Sequence, residues 1–314
     1  MRLLETTFVA LAAMVGLAAT PATAQTFPER PITMIIPLGA GGSHDLNARV
    51  ITSVLPGILG QPVVVQLMPG AGGQTGTAAA AQAPADGHTL IFTHNFIDQL
   101  QQFVTDLPYE PNEDFVSVAR PNTAQPILVV RGDSPFATFE DLVAHGRENP
   151  GDLRFGHSGN WGAFMVPGLA LMQAVEVQPT LIPYQGGGPV IQALLAGDID
   201  FTFAFPSVLS GQDLRPLLAV GETSPVEGVP TTDELGYGDV SEIGIMHRVV
   251  LAPAGVPEDR LAVLRDAFSK LDEDPTYQTL MERLGENTDL MGGAEYDEVR
   301  GRQAERYRAL VDSF

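Results

Sequence analysis

Residues 32–45 read Ile-Thr-Met-Ile-Ile-Pro-Leu-Gly-Ala-Gly-Gly-Ser-His-Asp, and this stretch decides the fold class. Its first six residues are an apolar run typical of a buried strand. The glycines that follow lead into a helix predicted from about residue 44 to residue 59. The same order of short strand, loop and helix recurs along the chain. The sequence therefore predicts an α/β protein.

Two strands flanked by proline and glycine, near residues 125–130 and 245–251, divide this α/β pattern. They separate one middle segment from two outer segments. We expect a discontinuous first domain, residues 27–124 plus 246–314, and a second domain, residues 125–245. The chain would then cross between the domains twice, which predicts a hinge of crossing strands.

The first 24 residues have the pattern of an export signal. Arg2 precedes an apolar run over residues 8–19, and Ala22-Thr-Ala24 is the small-x-small pattern that signal peptidase cuts. The run is too short to span a bilayer comfortably, and no stop-transfer pattern follows it. We therefore predict a signal peptide cleaved near Ala24 and a periplasmic mature protein.

The chain has 38 acidic and 17 basic residues, a formal net charge of −21. Such a charge opposes binding to nucleic acid and to anionic lipid. The acids are dispersed, which favours a well-hydrated surface suited to a saline habitat over a patch that docks a basic partner. Cysteine is absent and the six histidines lack metal-ligand spacing. We therefore predict no thiol nucleophile, no metal site and no cofactor.

Three glycine-rich loops, residues 39–45, 156–160 and 183–189, each follow a predicted strand and precede a helix. Glycine lets backbone N–H groups at a helix N-terminus face an anion. A dinucleotide fingerprint would need glycine at His44, and a phosphate-binding P-loop would need a following lysine, so neither motif is present. The first loop is then either a ligand loop or a tight turn in which Ser43 caps the helix.

The loop Gly156-His-Ser-Gly-Asn160 approaches the G-x-S-x-G pattern of a serine hydrolase but has asparagine in place of the last glycine. A secreted hydrolase is therefore the weakest alternative. In α/β proteins the carboxyl ends of the strands converge on a binding cleft. Three glycine loops at such ends, in two expected domains, favour a solute-binding receptor.

These loops, and motifs between them, resemble the periplasmic receptors of tripartite tricarboxylate transporters, also called Bug receptors. The matching stretches run in order through nearly all of the mature sequence: residues 27–32, 37–45, 60–64, 69–73, 85–90, 107–111, 155–160, 183–189, 195–200 and 252–257. The resemblance implies a two-domain periplasmic-binding-protein type II fold, a Venus flytrap. It also implies a non-enzymatic receptor that hands a small organic carboxylate to membrane transporter subunits. An extracytoplasmic carboxylate sensor is the alternative.

The resemblance also implies which residues hold the ligand. One carboxylate would bind at the first glycine loop, and the second-domain loops would close over it. The candidate ligand-binding residues are Ala40, Gly41, Gly42, Ser43, Asp45, His94, Asn95, His157, Ser158, Gly159, Asn160, Trp161, Tyr184, Gly186, Gly187, Phe203 and Ala204. No arginine or lysine lies within the loops, so backbone N–H groups and helix dipoles would neutralise the carboxylate.

Two positions depart from the family pattern and concern selectivity. Trp161 stands where a small residue is common, and Phe203-Ala-Phe205 stands where an aspartate is common. Both changes make the expected pocket more apolar. We therefore expect a monomeric receptor for a small carboxylate, with aromatic and dicarboxylic acids as candidates. Aromatic or apolar acids should be preferred over amino acids and citrate.

Overall fold

The computed structural model describes residues 27–209 and 211–312, and their strands form two separate sheets. The first sheet contains β1 (Ile32–Ile36), β2 (Val63–Leu67), β3 (Thr89–His94), β4 (Phe115–Ala124), β10 (Met246–Pro253) and β11 (Met291–Gly292). The second sheet contains β5 (Ile127–Arg131), β6 (Arg154–His157), β7 (Thr180–Pro183), β8 (Phe201–Ala204) and β9 (Leu214–Ala219). The predicted signal peptide, residues 1–24, lies outside the described residues.

Helices connect most of these strands, as the α/β prediction requires. They are α1 (Ser43–Leu59), α2 (Gln74–Ala81), α3 (Phe139–Glu148), α4 (Met165–Ala174), α5 (Gly187–Ala196), α6 (Pro206–Leu209), α7 (Gly238–Gly244), α8 (Glu258–Asp272), α9 (Pro275–Arg283) and α10 (Gly293–Val311). Within the described ranges, no helix is long and apolar enough to cross a membrane. The predicted fold class is confirmed.

Local sequence signals set several helix boundaries. Gly60 ends α1 in the left-handed conformation, with φ 71°. Thr138 and Asp141 form a reciprocal capping box at the start of α3, with hydrogen bonds of 3.2 and 3.0 Å. Ser43 does not cap α1, because Gly42 is the N-cap residue and no side chain caps this helix. The alternative in which Ser43 serves as the cap is therefore wrong.

β4 is a strand that the sequence pattern does not predict. Its residues 115–124 include Arg120 and Pro121, which are unusual inside a strand with neighbours on both sides, so the pattern predicts no strand here. In the structure β4 lies between β11 and β10, and its register to β10 shifts beside Pro121. This irregularity lets a residue without an N–H group sit within the sheet.

Each sheet has its own apolar core, which fixes the position of the loops at its edge. In the first sheet, Ile32 and Phe92 pack with Leu55 of α1. In the second, the rings of Phe155 and Phe201 stack with centroids 4.9 Å apart. Full burial of one such side chain stabilises the fold by about 1.5–3 kcal/mol. The strands that carry the glycine loops are therefore anchored in these two cores.

Strand direction brings the glycine loops together. β1, β2 and β3 run parallel, as do β6, β7 and β8, so their carboxyl ends share one edge of each sheet. The β1–α1 loop (residues 37–42) and the β7–α5 loop (residues 184–186) start at these edges and meet between the sheets.

Two chain crossings join the sheets. β4 passes into β5 through residues 125–126, and the return path runs from β9 through α7 into β10. The expected domain boundaries, 27–124 plus 246–314 and 125–245, stay a prediction.

Candidate functional site

The β1–α1 loop touches the β7–α5 loop and the start of α5, and glycine makes this contact possible. A Cβ atom placed on Gly188 would lie 2.6 Å from the carbonyl oxygen of Ala40. A Cβ atom on Gly39 would lie 2.8 Å from the carbonyl oxygen of Gln185. Real Cβ atoms essentially never approach so closely. The glycines therefore let the two sheets close on each other at this point.

Two helices present uncapped N-termini at this contact. α1 begins after Gly42 and α5 begins after Gly186, whose φ is 104°, and neither helix has a side-chain cap. The first N–H groups of a helix have no partner within it, and the helix dipole adds partial positive charge there. Two such ends at one place favour an anion between them.

An inner cavity lies between these helix ends. The first-sheet side contributes Gly42, Ser43, His44 and His94, and the second-sheet side contributes Ser158, Gly187 and Phe205. The cavity has a volume of about 20 Å³, which is room for about one water molecule. A carboxylate ligand would therefore enter only when the two loops move apart, before they meet again around it.

Ser43 is held by a buried arginine. Arg248, on the crossing strand β10, donates from Nη2 to Ser43 Oγ. Nη1 and Nη2 also donate to the two carboxylate oxygens of Glu286, at 2.8 and 3.1 Å. Because a guanidinium group can only donate, Ser43 Oγ is the acceptor in its bond. The hydroxyl hydrogen of Ser43 is therefore left to donate to another group.

The positive charge of Arg248 lies behind the inner cavity. Its Cζ atom is 5.3 Å from the ring centroid of Phe205, which lines the cavity. The side chains of Arg248 and Glu286 are 0% and 1% exposed. A cationic side chain, paired with Glu286, thus reaches the first glycine loop from a distant strand. The expectation that backbone groups and helix dipoles neutralise the carboxylate stays a prediction.

His44 and His94 line the inner cavity as neutral rings. Burial, reinforced by Arg248, lowers the pKa of His94 to about 3. Burial, with a smaller effect of His94, lowers the pKa of His44 well below its usual value. His94 Nδ1 accepts from the Ile97 N–H at 3.4 Å, so the proton of the neutral ring is on Nε2. His94 therefore offers a donor at that nitrogen.

Asp45 shapes the β1–α1 loop and does not line the inner cavity. Its Oδ2 atom accepts from the Gly41 N–H at 3.0 Å, and Arg49 lies 2.9 Å from its Oδ1 atom. Gly41 has φ 78°, in the left-handed region that favours glycine. The Gly41 amide is thus used within the loop, where Gly41 and Ala40 are both exposed.

An outer cavity of about 560 Å³ shares a wall with the inner one, because Ser158 lines the inner cavity and Gly159 the outer. The second sheet contributes Asn160, Trp161 and Tyr184, and the first contributes Ala71, Gly72, Gln74 and Gln101. None of the described residues that line it is charged. A ligand group here would meet amide side chains and two aromatic rings.

Asn95 uses its side chain to hold the crossing strand and not to line either cavity. Its Nδ2 atom donates to the Ile245 carbonyl oxygen at 3.2 Å and to the Tyr307 hydroxyl at 2.6 Å. Its Oδ1 atom accepts from the His247 N–H at 3.0 Å. Because these bonds engage both its amide nitrogen and its amide oxygen, we assign Asn95 to the hinge and not to the ligand site.

Phe203 and Ala204 also lie outside both cavities, in the core of the second sheet. Phe203 packs edge-on against Phe155, with ring centroids 6.0 Å apart. β8 ends at Ala204, and the next residue, Phe205, reaches the inner cavity. We therefore assign the first two residues to the core, and Phe205 alone supplies the apolar wall expected from this segment.

Ser158 lacks the base that a serine nucleophile needs. His157 donates from Nδ1 to the Gly159 carbonyl oxygen at 3.0 Å, so it braces the loop. In the described part of the chain, no histidine forms a hydrogen bond with Ser158. The serine hydrolase alternative therefore has no nucleophile–base pair here.

Comparison with known proteins identifies the family of the chain that forms this cleft. The family model described as "Tripartite tricarboxylate transporter family receptor" matches residues 47–313. The chain belongs to this receptor family. The resemblance drawn from the glycine loops is thereby confirmed, and the family is one of transporter receptors.

Individual relatives agree with this assignment. BugT of Bordetella pertussis is 33% identical to the receptor over 262 residues, which cover 80% of the receptor and 79% of BugT. A solved structure described as a periplasmic transporter has a TM-score of 0.86 and 28% identity, covering 91% of the receptor and 97% of that chain. MatC from Rhodopseudomonas palustris, solved with bound malate, has a TM-score of 0.83 and 26% identity, covering 91% and 100%. The two-domain periplasmic-binding-protein fold is confirmed.

Sequence reasoning missed two parts of the receptor's cleft. Arg248 interrupts the apolar run of β10, and a buried strand with one arginine is a signal that could have drawn attention to it. The segment Gly70–Gly73 faces the Asn160 loop, and Gln101 holds it by donating to the Gly72 carbonyl oxygen at 2.7 Å. The sequence marks that segment by its glycine content and as part of residues 69–73, one of the stretches that resemble the family, but neither signal assigns it to the cleft.

Proposed function

We propose that this receptor captures a small ionised organic carboxylate between its two sheets and delivers it to the membrane subunits of a tripartite tricarboxylate-type transporter. It would do so in the periplasm, after cleavage of a signal peptide near Ala24, and without catalysing a reaction. The observation that carries the proposal is the chemistry of the inner cavity. Its assigned side-chain groups, the Ser43 hydroxyl and His94 Nε2, are donors, and two helix N-termini add N–H groups.

His44 Nε2 donates to the Thr93 carbonyl oxygen at 3.1 Å, which leaves its Nδ1 as an acceptor. The other assigned groups of the cavity are donors, and they favour a ligand group that accepts hydrogen bonds. An ionised carboxylate meets this requirement, whereas an ammonium group or an amide nitrogen would leave buried donors facing each other. An unpaired buried polar group costs about 1–3 kcal/mol, and more when it is charged. Because both histidines are neutral, the site would hold the anion without a protonated ring that balances its charge.

The outer cavity would hold the rest of the ligand. Trp161 and Tyr184 offer flat apolar surfaces, and Gln74, Gln101 and Asn160 offer neutral polar groups. These residues support an aromatic or hydroxylated carboxylate as the ligand. MatC, which binds malate, shows that a relative of this fold takes a small hydroxy dicarboxylate. Both kinds of acid therefore belong in the first screen.

Matched pairs of ligands test this proposal. We expect benzoate, succinate or malate to raise the unfolding temperature of the mature receptor by mass action, and the corresponding primary amides to leave it unchanged. Titration calorimetry would then rank the acids that bind. Equal binding of an acid and its amide, or preferred binding of an amine, would contradict the proposal. Delivery would be tested by uptake of the tightest labelled acid into vesicles that contain the transporter's membrane subunits.

A further inference from the structure

A second concave surface lies on the other side of the crossing strand from the ligand cleft. Met246 lines the inner cavity and Arg248 reaches toward it, whereas Ile245 and His247 point the opposite way, as strand alternation requires. The latter two residues, with Asn95 and one face of α10, enclose a pocket of about 240 Å³. We call this the hinge pocket, because its walls come from α10 and from the segment that crosses between the sheets.

Two arginines give the hinge pocket a concentrated positive charge. Arg302 and Arg306 both line it, are exposed, and stand one helical turn apart on α10. Neither forms an ion pair with a carboxylate among the described residues. Like charges at this spacing destabilise an isolated helix by about 0.2–0.5 kcal/mol. Glu298 and Glu305 stand on the same helix, but neither forms an ion pair with these arginines.

The neutral polar side chains of the hinge pocket also present donors, beside the aliphatic side chains of Ile243, Ile245 and Val299. The Tyr307 hydroxyl accepts from Asn95 Nδ2 at 2.6 Å, so its own hydrogen is left to donate. Gln303 Nε2 lies 3.2 Å from His247 Nδ1. The amide nitrogen donates and the neutral ring accepts, so the ring proton is on Nε2. Burial, reinforced by Arg120, lowers the pKa of His247 to about 4 and keeps that ring neutral.

We propose that the hinge pocket binds a small, multiply charged oxyanion. Arg302 and Arg306 would supply the charge and several N–H donors, and the Tyr307 hydroxyl would donate from the pocket wall. A pocket of this volume accommodates a molecule of phosphate size, and its concave shape favours a free ion over a flat macromolecular surface. This site is separate from the carboxylate cleft, and the proposal does not depend on the function proposed above.

The proposed oxyanion site adjoins a hydrogen-bonded link between α10 and the crossing segment. Tyr307 is joined through Asn95 to the backbone of Ile245 and His247. Arg302, Arg306 and Tyr307 all belong to α10, so an anion held by them would lie beside this existing link between α10 and the crossing segment.

Titration with inorganic phosphate and sulfate at constant ionic strength tests the proposal on the full mature receptor. We expect millimolar or tighter binding by calorimetry. The double variant Arg302→Gln, Arg306→Gln should weaken this binding by about tenfold or more, because hydrogen bonds to charged groups are strong. Glutamine is a good helix former, so α10 should keep its structure.

A matched double variant separates a pocket from general electrostatics. Lys270→Gln with Arg283→Gln removes two exposed helix cations that lie outside the hinge pocket, with the same change of net charge. This control should bind phosphate as the wild type does. The proposal is overturned if the wild type does not bind either ion, if the Arg302 and Arg306 substitutions leave affinity unchanged, or if the control loses affinity equally. Phosphate could instead bind in the carboxylate cleft. In that case Gly188→Ala would abolish phosphate binding and the arginine double variant would retain it, and this result would also overturn the proposal.

Discussion

Arg248 and Glu286 form a two-pronged ion pair in the interior, with N–O distances of 2.8 and 3.1 Å. The pair is fully buried, and the same guanidinium holds Ser43 at the ligand loop. A buried charge loses its hydration, so each partner depends on the other. The pair thus links the stability of the first sheet to the geometry of the ligand site.

Replacing Arg248 with methionine should destabilise the receptor by about 3–5 kcal/mol, because Glu286 would be left as an uncompensated buried charge. Urea unfolding measures this loss. The double variant Arg248→Met, Glu286→Leu should recover most of the stability, since both charges are then removed. Equal stability of the single and double variants would show that the pair does not behave as a buried ion pair.

Replacing Gly188 with alanine should weaken carboxylate binding by about tenfold or more, because the added Cβ would lie 2.6 Å from the Ala40 carbonyl oxygen and prevent the loops from meeting. Titration calorimetry with the best carboxylate measures the effect. Gly301→Ala is the matched control, since its Cβ would have no atom within 4 Å. That variant should bind normally, and an unchanged affinity in Gly188→Ala would mean that loop contact does not contribute to binding.

The neutral state of His94 should make stability depend on pH. Its pKa is about 3 in the folded protein and about 6.5 when unfolded, so below about pH 6.5 the unfolded state binds a proton that the folded state does not. The contribution of the neutral His94 ring to the free energy of unfolding is complete above about pH 6.5. It falls by up to about 1.4 kcal/mol per pH unit as the pH drops toward 3.

The variant His94→Asn isolates that effect, because asparagine can still accept from the Ile97 N–H but does not titrate. Urea unfolding between about pH 7 and pH 4.5 should give a shallower loss of stability for the variant than for the wild type. Parallel pH profiles would contradict a neutral, buried His94. His247 also has a lowered pKa and keeps its contribution in both proteins, and the lowered pKa of His44 loses only the smaller effect of His94.

Replacing Trp161 with alanine should weaken binding of aromatic carboxylates by about tenfold and leave small aliphatic acids less affected, because a ring contact is worth about 0.5–1.5 kcal/mol beyond its buried area. Phe203→Leu is the contrasting variant. Phe203 lies in the core, so this change should lower stability by about 1 kcal/mol or more with little effect on affinity. If Phe203→Leu weakened binding and Trp161→Ala did not, Phe203 and not Trp161 would contact the ligand.

The sequence by itself determined the features that depend on neighbours in the chain. Most of the strand and helix order, the stop at Gly60, the capping box at Thr138 and the glycine loops follow from local periodicity and backbone freedom, whereas β4 does not. The family could be recognised from the loops for the same reason. These loops predicted an anion at a helix N-terminus, because uncapped N–H groups are a property of the local chain.

Tertiary structure alone decided which groups surround that anion site. Arg248 contacts Ser43, which is 205 positions away in the sequence, and Glu286, which is 38 positions away. No local pattern encodes such contacts. Burial then set the neutral state of His94, and the end of β8 turned Phe205 instead of Phe203 toward the cavity. The physical reason is that desolvation and long-range contacts depend on how the sheets pack, whereas loop conformation depends on the residues within it.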